Sequence, residues 1–160
     1  MIKKALFTAA IGMIISLGIV GSAGADPDES QLLRGLGGRT FAVQVTNLTG
    51  LGEPFGTFAN CYIFNEDGSW IDPLFPVPGT WNQHSTGAST TYSASALLDI
   101  GGGVGVLIEQ QGTVTPSQGG GTLQLEADSH VSIILIADGS LLMQLDDFFS
   151  VGHQDNECSL

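Results

Sequence analysis

The side chains able to do chemistry in this chain are mostly acidic: sixteen Asp and Glu against four Lys and Arg, with three histidines and two cysteines. Asn65, Asp67, Ser69 and Asp72 place oxygens at alternating spacing, as part of a calcium loop does. An EF-hand needs a longer acidic set and a closing glutamate, and neither follows here. Asp67-Gly68 is fully explained as a hairpin turn. Asp99, Glu109, Asp146 and Asp147 offer paired carboxylates for general acid–base work, but nothing in the sequence fixes their separation. Asp146-Asp147 beside Phe148-Phe149 reads more simply as the exposed end of a strand. His84, His130 and His153 stand far apart, none with a partner at metal-ligand spacing. His153 shares its surroundings with Asp155, Glu157 and Cys158, the polarity of a solvated tail. No Gly-x-Ser-x-Gly nucleophile elbow occurs. The sequence therefore assigns no catalytic residue, no metal and no cofactor.

The aromatic residues are more suggestive. Phe41, Phe55, Phe58, Tyr62, Phe64, Trp70, Phe75, Trp81 and Tyr92 fall within one third of the chain. One reading is an aromatic-lined cavity for an apolar ligand, with Phe41, Tyr62, Phe64, Trp70, Trp81 and Tyr92 as its candidate walls. The other is a plug, in which large side chains fill one end of a small fold to native density. The plug is the more economical of the two.

The elements that must position these residues begin after a removable leader. Lys3 and Lys4 precede an apolar run from Ala5 to Val20, then Ala23-Gly24-Ala25 and the acidic Asp26-Pro27-Asp28-Glu29. This is the pattern of a cleaved signal peptide over residues 1–25; an uncleaved membrane anchor is the rival reading, and the run is short for one. Residues 26–38 read as a flexible lead-in and residues 39–160 as one β domain. The expected location is exported, periplasmic or extracellular. Cleavage leaves Arg34 and Arg39 as the only fixed cations against sixteen acids. Such a surface repels nucleic acid and anionic lipid, so neither is an expected partner. In an oxidising compartment the even pair Cys61 and Cys158 reads as one intramolecular disulfide, with an intermolecular bridge as its rival.

Period-two alternation then dominates. Phe41, Val43 and Val45 oppose Thr40, Gln44 and Thr46, and Leu123, Leu125 and Ala127 oppose Thr122, Gln124 and Glu126. Asp67-Gly68 and Asp138-Gly139 mark two hairpins. Strands are expected near 39–47, 58–65, 69–73, 79–84, 89–98, 104–115, 120–127, 130–137 and 140–151, eight or nine in all, with no helix after the leader. Sequential hairpins favour an up-and-down antiparallel barrel, because closure removes exposed edges. Asp72–Gly79 carries Pro73, Pro76 and Pro78 and must be a loop, crossing one end of the barrel.

The leader, the meander, the size and the triplet Gly79-Thr80-Trp81 together resemble the lipocalin-like (calycin-type) barrels. The resemblance implies eight antiparallel strands and an apolar ligand cavity. The family carries Gly-x-Trp on its first strand, where this chain reads Gly38-Arg39-Thr40-Phe41. The resulting expectation is a non-enzymatic exported barrel that binds a small apolar ligand or a protein partner. The alternative is a barrel isomerase or cyclase using buried carboxylates. An outer-membrane barrel is disfavoured because its strands run about nine to eleven residues between aromatic girdles, longer than most expected here. The leader yields a direct test: intact-mass analysis of exported material should give Asp26 as the first residue, and retention of Met1 would overturn the cleavage reading.

Overall fold

The computed structural model describes residues 35–49, 56–86, 89–118 and 121–158. The expected signal peptide, most of the lead-in and Phe55 lie outside them. Eight strands follow in chain order: β1 (Arg39–Asn47), β2 (Thr57–Phe64), β3 (Ser69–Ile71), β4 (Gly79–Thr86), β5 (Ser89–Gly101), β6 (Val104–Pro116), β7 (Leu123–Leu135) and β8 (Leu141–Gln154). Each pairs antiparallel with the next, and β8 returns to β1 to close an up-and-down barrel. No helix occurs among the described residues. The all-β barrel expected from the alternation is the observed fold. The largest difference lies in β7. The two strands expected at 120–127 and 130–137 are a single strand, β7. Asp128-Ser129 contains no glycine to reverse the chain, and alternation continues through it, with Ala127 and Ser129 buried and Asp128 and His130 exposed.

Four strands, β5 to β8, run 13 or 14 residues, longer than expected. Strand length therefore does not argue against a membrane barrel, and the outer face is mixed in polarity. Ser93, Ser95, Glu109, Gln111, Glu126 and Asp128 stand exposed there, where a lipid-facing barrel needs an apolar band.

One end of the lumen is packed solid. Phe64 lies edge-to-face against Phe41, Trp81 and Tyr92, with centroids 5.9, 5.6 and 4.9 Å away. The inward-facing Gly112 makes room for this cluster, since a Cβ there would stand 2.5 Å from the Tyr92 ring. Gly79, in the Gly-x-Trp triplet, passes so close to β5 that a Cβ would collide with the Ser95 carbonyl. The end is capped by the chain entering β1. Leu36 is fully buried, its N–H donates to Gln83 Oε1 at 2.7 Å, and Gly38 N–H donates to Phe64 O at 2.7 Å. Arg39 Nε donates to Gly35 O at 2.7 Å. The last four residues of the lead-in, expected to be flexible, are thus packed, because a fully apolar Leu36 side chain gains by covering the aromatic cluster.

Cys61 lies on the outer side of β2, opposite in alternation to Tyr62, and is fully buried beneath the C-terminal tail. Asp155 N–H donates to Thr40 O at 2.9 Å, which turns the tail back over the wall. Cys158 is disulfide-bonded to Cys61 across 97 residues, Cα to Cα 6.0 Å, as the cysteine count suggested. The bond fits an oxidising compartment. Replacing both cysteines by serine should lower unfolding free energy by about 4 kcal/mol in the chain-entropy model. Urea denaturation checks the loss, and far-ultraviolet circular dichroism should retain the sheet signal. An unchanged midpoint would contradict the role given to the bond.

Candidate ligand cavity

The packing stops at a layer of polar side chains set at inward positions. Tyr92 Oη donates to Gln110 Oε1 at 2.8 Å, and Gln110 Nε2 donates to Ser129 Oγ at 2.9 Å. Tyr62 and Ser150 share a hydrogen bond of 2.8 Å between their hydroxyls. All five side chains are buried. A buried amide between two hydroxyls is stable only because both its ends are bonded. Burial pushes the Tyr62 phenol up to about 12, with a smaller push from Asp72. Burial likewise raises Tyr92 well above its usual value. Both phenols stay neutral at physiological pH.

Beyond this layer the lumen opens into a cavity of about 510 Å³. Its walls are apolar, from Val45, Phe58, Ile108, Val131 and Phe148, with Leu74 and Phe75 at one side. Its polar groups are Asn60, Tyr62, Asp72, Ser129 and Asp146.

Asp72 enters because β3 ends after three residues. Pro73 has no N–H to extend the ladder, so the chain leaves the sheet and a turn from Asp72 O to Phe75 N–H, 2.8 Å, begins the loop. Asp72 Oδ1 accepts from Asn60 Nδ2 at 2.8 Å and from Leu74 N–H at 3.0 Å. The other oxygen has no hydrogen-bond partner among the described residues, and the side chain is 5 % exposed. Burial raises the carboxyl above the usual carboxylate range, outweighing the pull of the two hydrogen bonds.

Asp146 is the second carboxyl of the cavity, and it corrects the expectation of an exposed acid pair. The β7–β8 register shifts so that Val131 faces Asp146 while Ser132 faces Gln144. Asp146 keeps the alternation of Phe148 and Ser150 and faces inward, where it is 7 % exposed, while the extra residue Leu145 forms a bulge that puts Met143 on the same face. Its Oδ1 accepts from Asn47 Nδ2 at 3.1 Å and Thr49 Oγ1 at 3.0 Å. Asp147 faces outward and bonds His130 Nδ1 and Gln144 Nε2, and the histidine holds it below the usual range. Asp99 and Glu109 are exposed and line no part of the cavity.

Past the rim of the cavity the same inner faces stay apolar. The Ile108–Val131 pair lines it, and the next pairs on the same face are Val106–Ile133 and Val104–Leu135. Leu98 stands beside Val106 and Met143 beside Ile133. These side chains form an apolar inner wall on two hairpins that outreach the shorter strands β1 to β4. Met143 and Leu135 are 56 % and 37 % exposed.

Of the six aromatic residues proposed from sequence, Tyr62 lines the cavity; Phe41, Phe64, Trp70 and Tyr92 are core, and Trp81 packs against that core. Trp70 Nε1 is buried without a partner. Of the cavity's polar members, Tyr62, Asp72 and Asp146 were singled out in the sequence, whereas Asn60 and Ser129 were missed, yet each of these interrupts a largely apolar inward register, as Gln110 does in the layer beneath. Asp67 and Asp138 cap their own hairpin turns, accepting from Ser69 and Ser140 N–H at 2.9 Å each.

The raised carboxyl gives a signed prediction. Folded Asp72 holds its proton to higher pH than the unfolded chain does, so its ionisation costs stability as pH rises through that interval. Asp72→Asn should raise the melting temperature at neutral pH, and the gain should vanish below the unfolded aspartate pKa. Thermal melts across this range check it, and a variant less stable at neutral pH would contradict it.

No family model matches the chain, and no curated protein or solved structure matches it, so the cavity's chemistry rests on its geometry.

Proposed function

We propose that this is an exported, lipocalin-like barrel that carries a small apolar ligand in the open half of its lumen. The observation that carries the reading is the cavity itself. It is enclosed by apolar walls, it holds a few convergent polar groups at its base, and it lies above a fully packed end. The leader and the disulfide support export. The apolar wall on the hairpins supports a ligand with an apolar chain, since solvent-facing inner positions gain nothing from apolar side chains unless something covers them.

One observation favours a second reading, an isomerase or cyclase. Asp72 presents an unpaired oxygen from an apolar surround that favours its protonated form, the arrangement of a general acid. The two readings separate cleanly. A binder returns its ligand unchanged, whereas an enzyme returns a product and loses turnover but not binding in Asp72→Asn.

Nile red, an uncharged dye that brightens in apolar surroundings, tests the first reading. It should bind with a stoichiometry of one. Val131→Phe or Ile108→Phe, which fill the cavity, should weaken it about tenfold or more, equivalent to at least 1.4 kcal/mol. Thermal melts identify which variant remains folded. Equal affinity in a folded filled variant would place the dye elsewhere and overturn the proposal.

A further inference from the structure

The head-group chemistry of the ligand follows from what lines the cavity and what does not. Two carboxyls, Asp72 and Asp146, face it, and among the described residues no Lys, Arg or His does. Arg39, the described arginine, lies at the closed end, where it donates to Gly35 O and Gln154 Oε1. An anionic head would therefore enter a lumen with two acidic groups and no compensating cation. Asp72 also presents an oxygen that makes no hydrogen bond among the described residues, on a side chain 5 % exposed. That oxygen opens on the cavity and is free to accept from a donor on a ligand that fills it. Four aromatic rings, Phe58, Tyr62, Phe75 and Phe148, stand in the same lining. Their faces attract a desolvated cation and do nothing for a hydroxyl of similar size. A cation beside Asp72 favours its ionised form and offsets part of the cost of its burial, which a neutral donor does to a smaller extent.

We infer that the cavity takes a lipophilic amine, its ammonium bonded to Asp72 within the aromatic lining and its apolar chain leading toward the hairpin wall. This rests on the ligand-binding reading and goes beyond it by fixing the head group. Asp146 adds negative charge to the same space while it engages Asn47 and Thr49.

The test displaces bound Nile red with dodecylamine, dodecan-1-ol and dodecanoate, each below its micelle concentration, at neutral pH. The amine should displace the dye at a concentration about tenfold or more below the alcohol, with the fatty acid weakest. Asp72→Asn should bring amine and alcohol within about twofold of each other. Asp128→Asn, which removes an exposed outer carboxylate of the same charge, should leave the difference intact. That control separates the cavity from general attraction of amines to an acidic surface. Equal amine and alcohol affinity in the native protein overturns the inference, as does an amine preference that survives Asp72→Asn or disappears in Asp128→Asn. Failure of Nile red to bind at all overturns the binding reading itself, a distinct result.

Discussion

A closed eight-stranded barrel has a lumen about wide enough for its own side chains to fill, and here they fill it only part way. Everything distinctive about the site follows from where the filling stops. Phe41, Phe64, Trp70 and Tyr92 occupy the closed end, with Leu36 and Trp81 against them. That end supplies the close packing on which the closed sheet rests. The polar layer of Gln110, Ser129, Ser150 and the two tyrosine hydroxyls then ends the apolar stack. Further aromatic side chains at these positions would have continued the plug to the rim. Short polar ones leave space, and their mutual hydrogen bonds keep that space from costing unsatisfied groups.

The open half is held by features that sit outside the regular ladder. Proline at position 73 ends β3 early and releases Asp72 into the lumen. Asp146 faces inward beside a bulge at Leu145, and Asn47 and Thr49 bind it from the end of β1. Two carboxyls thus stand beside apolar walls, and burial raises that of Asp72 above the usual carboxylate range. The disulfide acts from the opposite side. It ties the tail across the outer wall of β2, the strand that carries Asn60 and Tyr62. The wall that presents the site is therefore cross-linked to the barrel's last strand.

The barrel was legible in the sequence because alternation and Asp-Gly turns are local signals. The barrel's strands followed from them, apart from the two that are one in β7; the loop after Asp72 followed from its prolines, and the cysteine pairing from the even count expected of an exported chain. The cavity was less so. The aromatic residues drew attention as candidate walls, but size alone does not say which end of a lumen a side chain fills, and all six sit in or against the core, with Tyr62 also lining the cavity. Asp72 looked like turn chemistry because its neighbours Asp67 and Ser69 are a turn. Its inward direction depends on β3 ending after Ile71, which is a matter of tertiary pairing. Asp146 and Asp147 are adjacent in sequence and opposite in the structure, and the alternation of β8 puts Asp146 on the inner side with Phe148 and Ser150. Leu36 showed no periodicity because a single capping residue has none to show.

The central claim is that one half of the lumen is open and the other closed. Xenon enters dry apolar cavities and scatters strongly, so a crystal of the mature protein under xenon pressure tests it directly. The account predicts a xenon atom against Ile108, Val131 and Phe148, and none among Phe41, Phe64 and Tyr92. Side chains closing the space beside Ile108, with no xenon in the barrel, would contradict it.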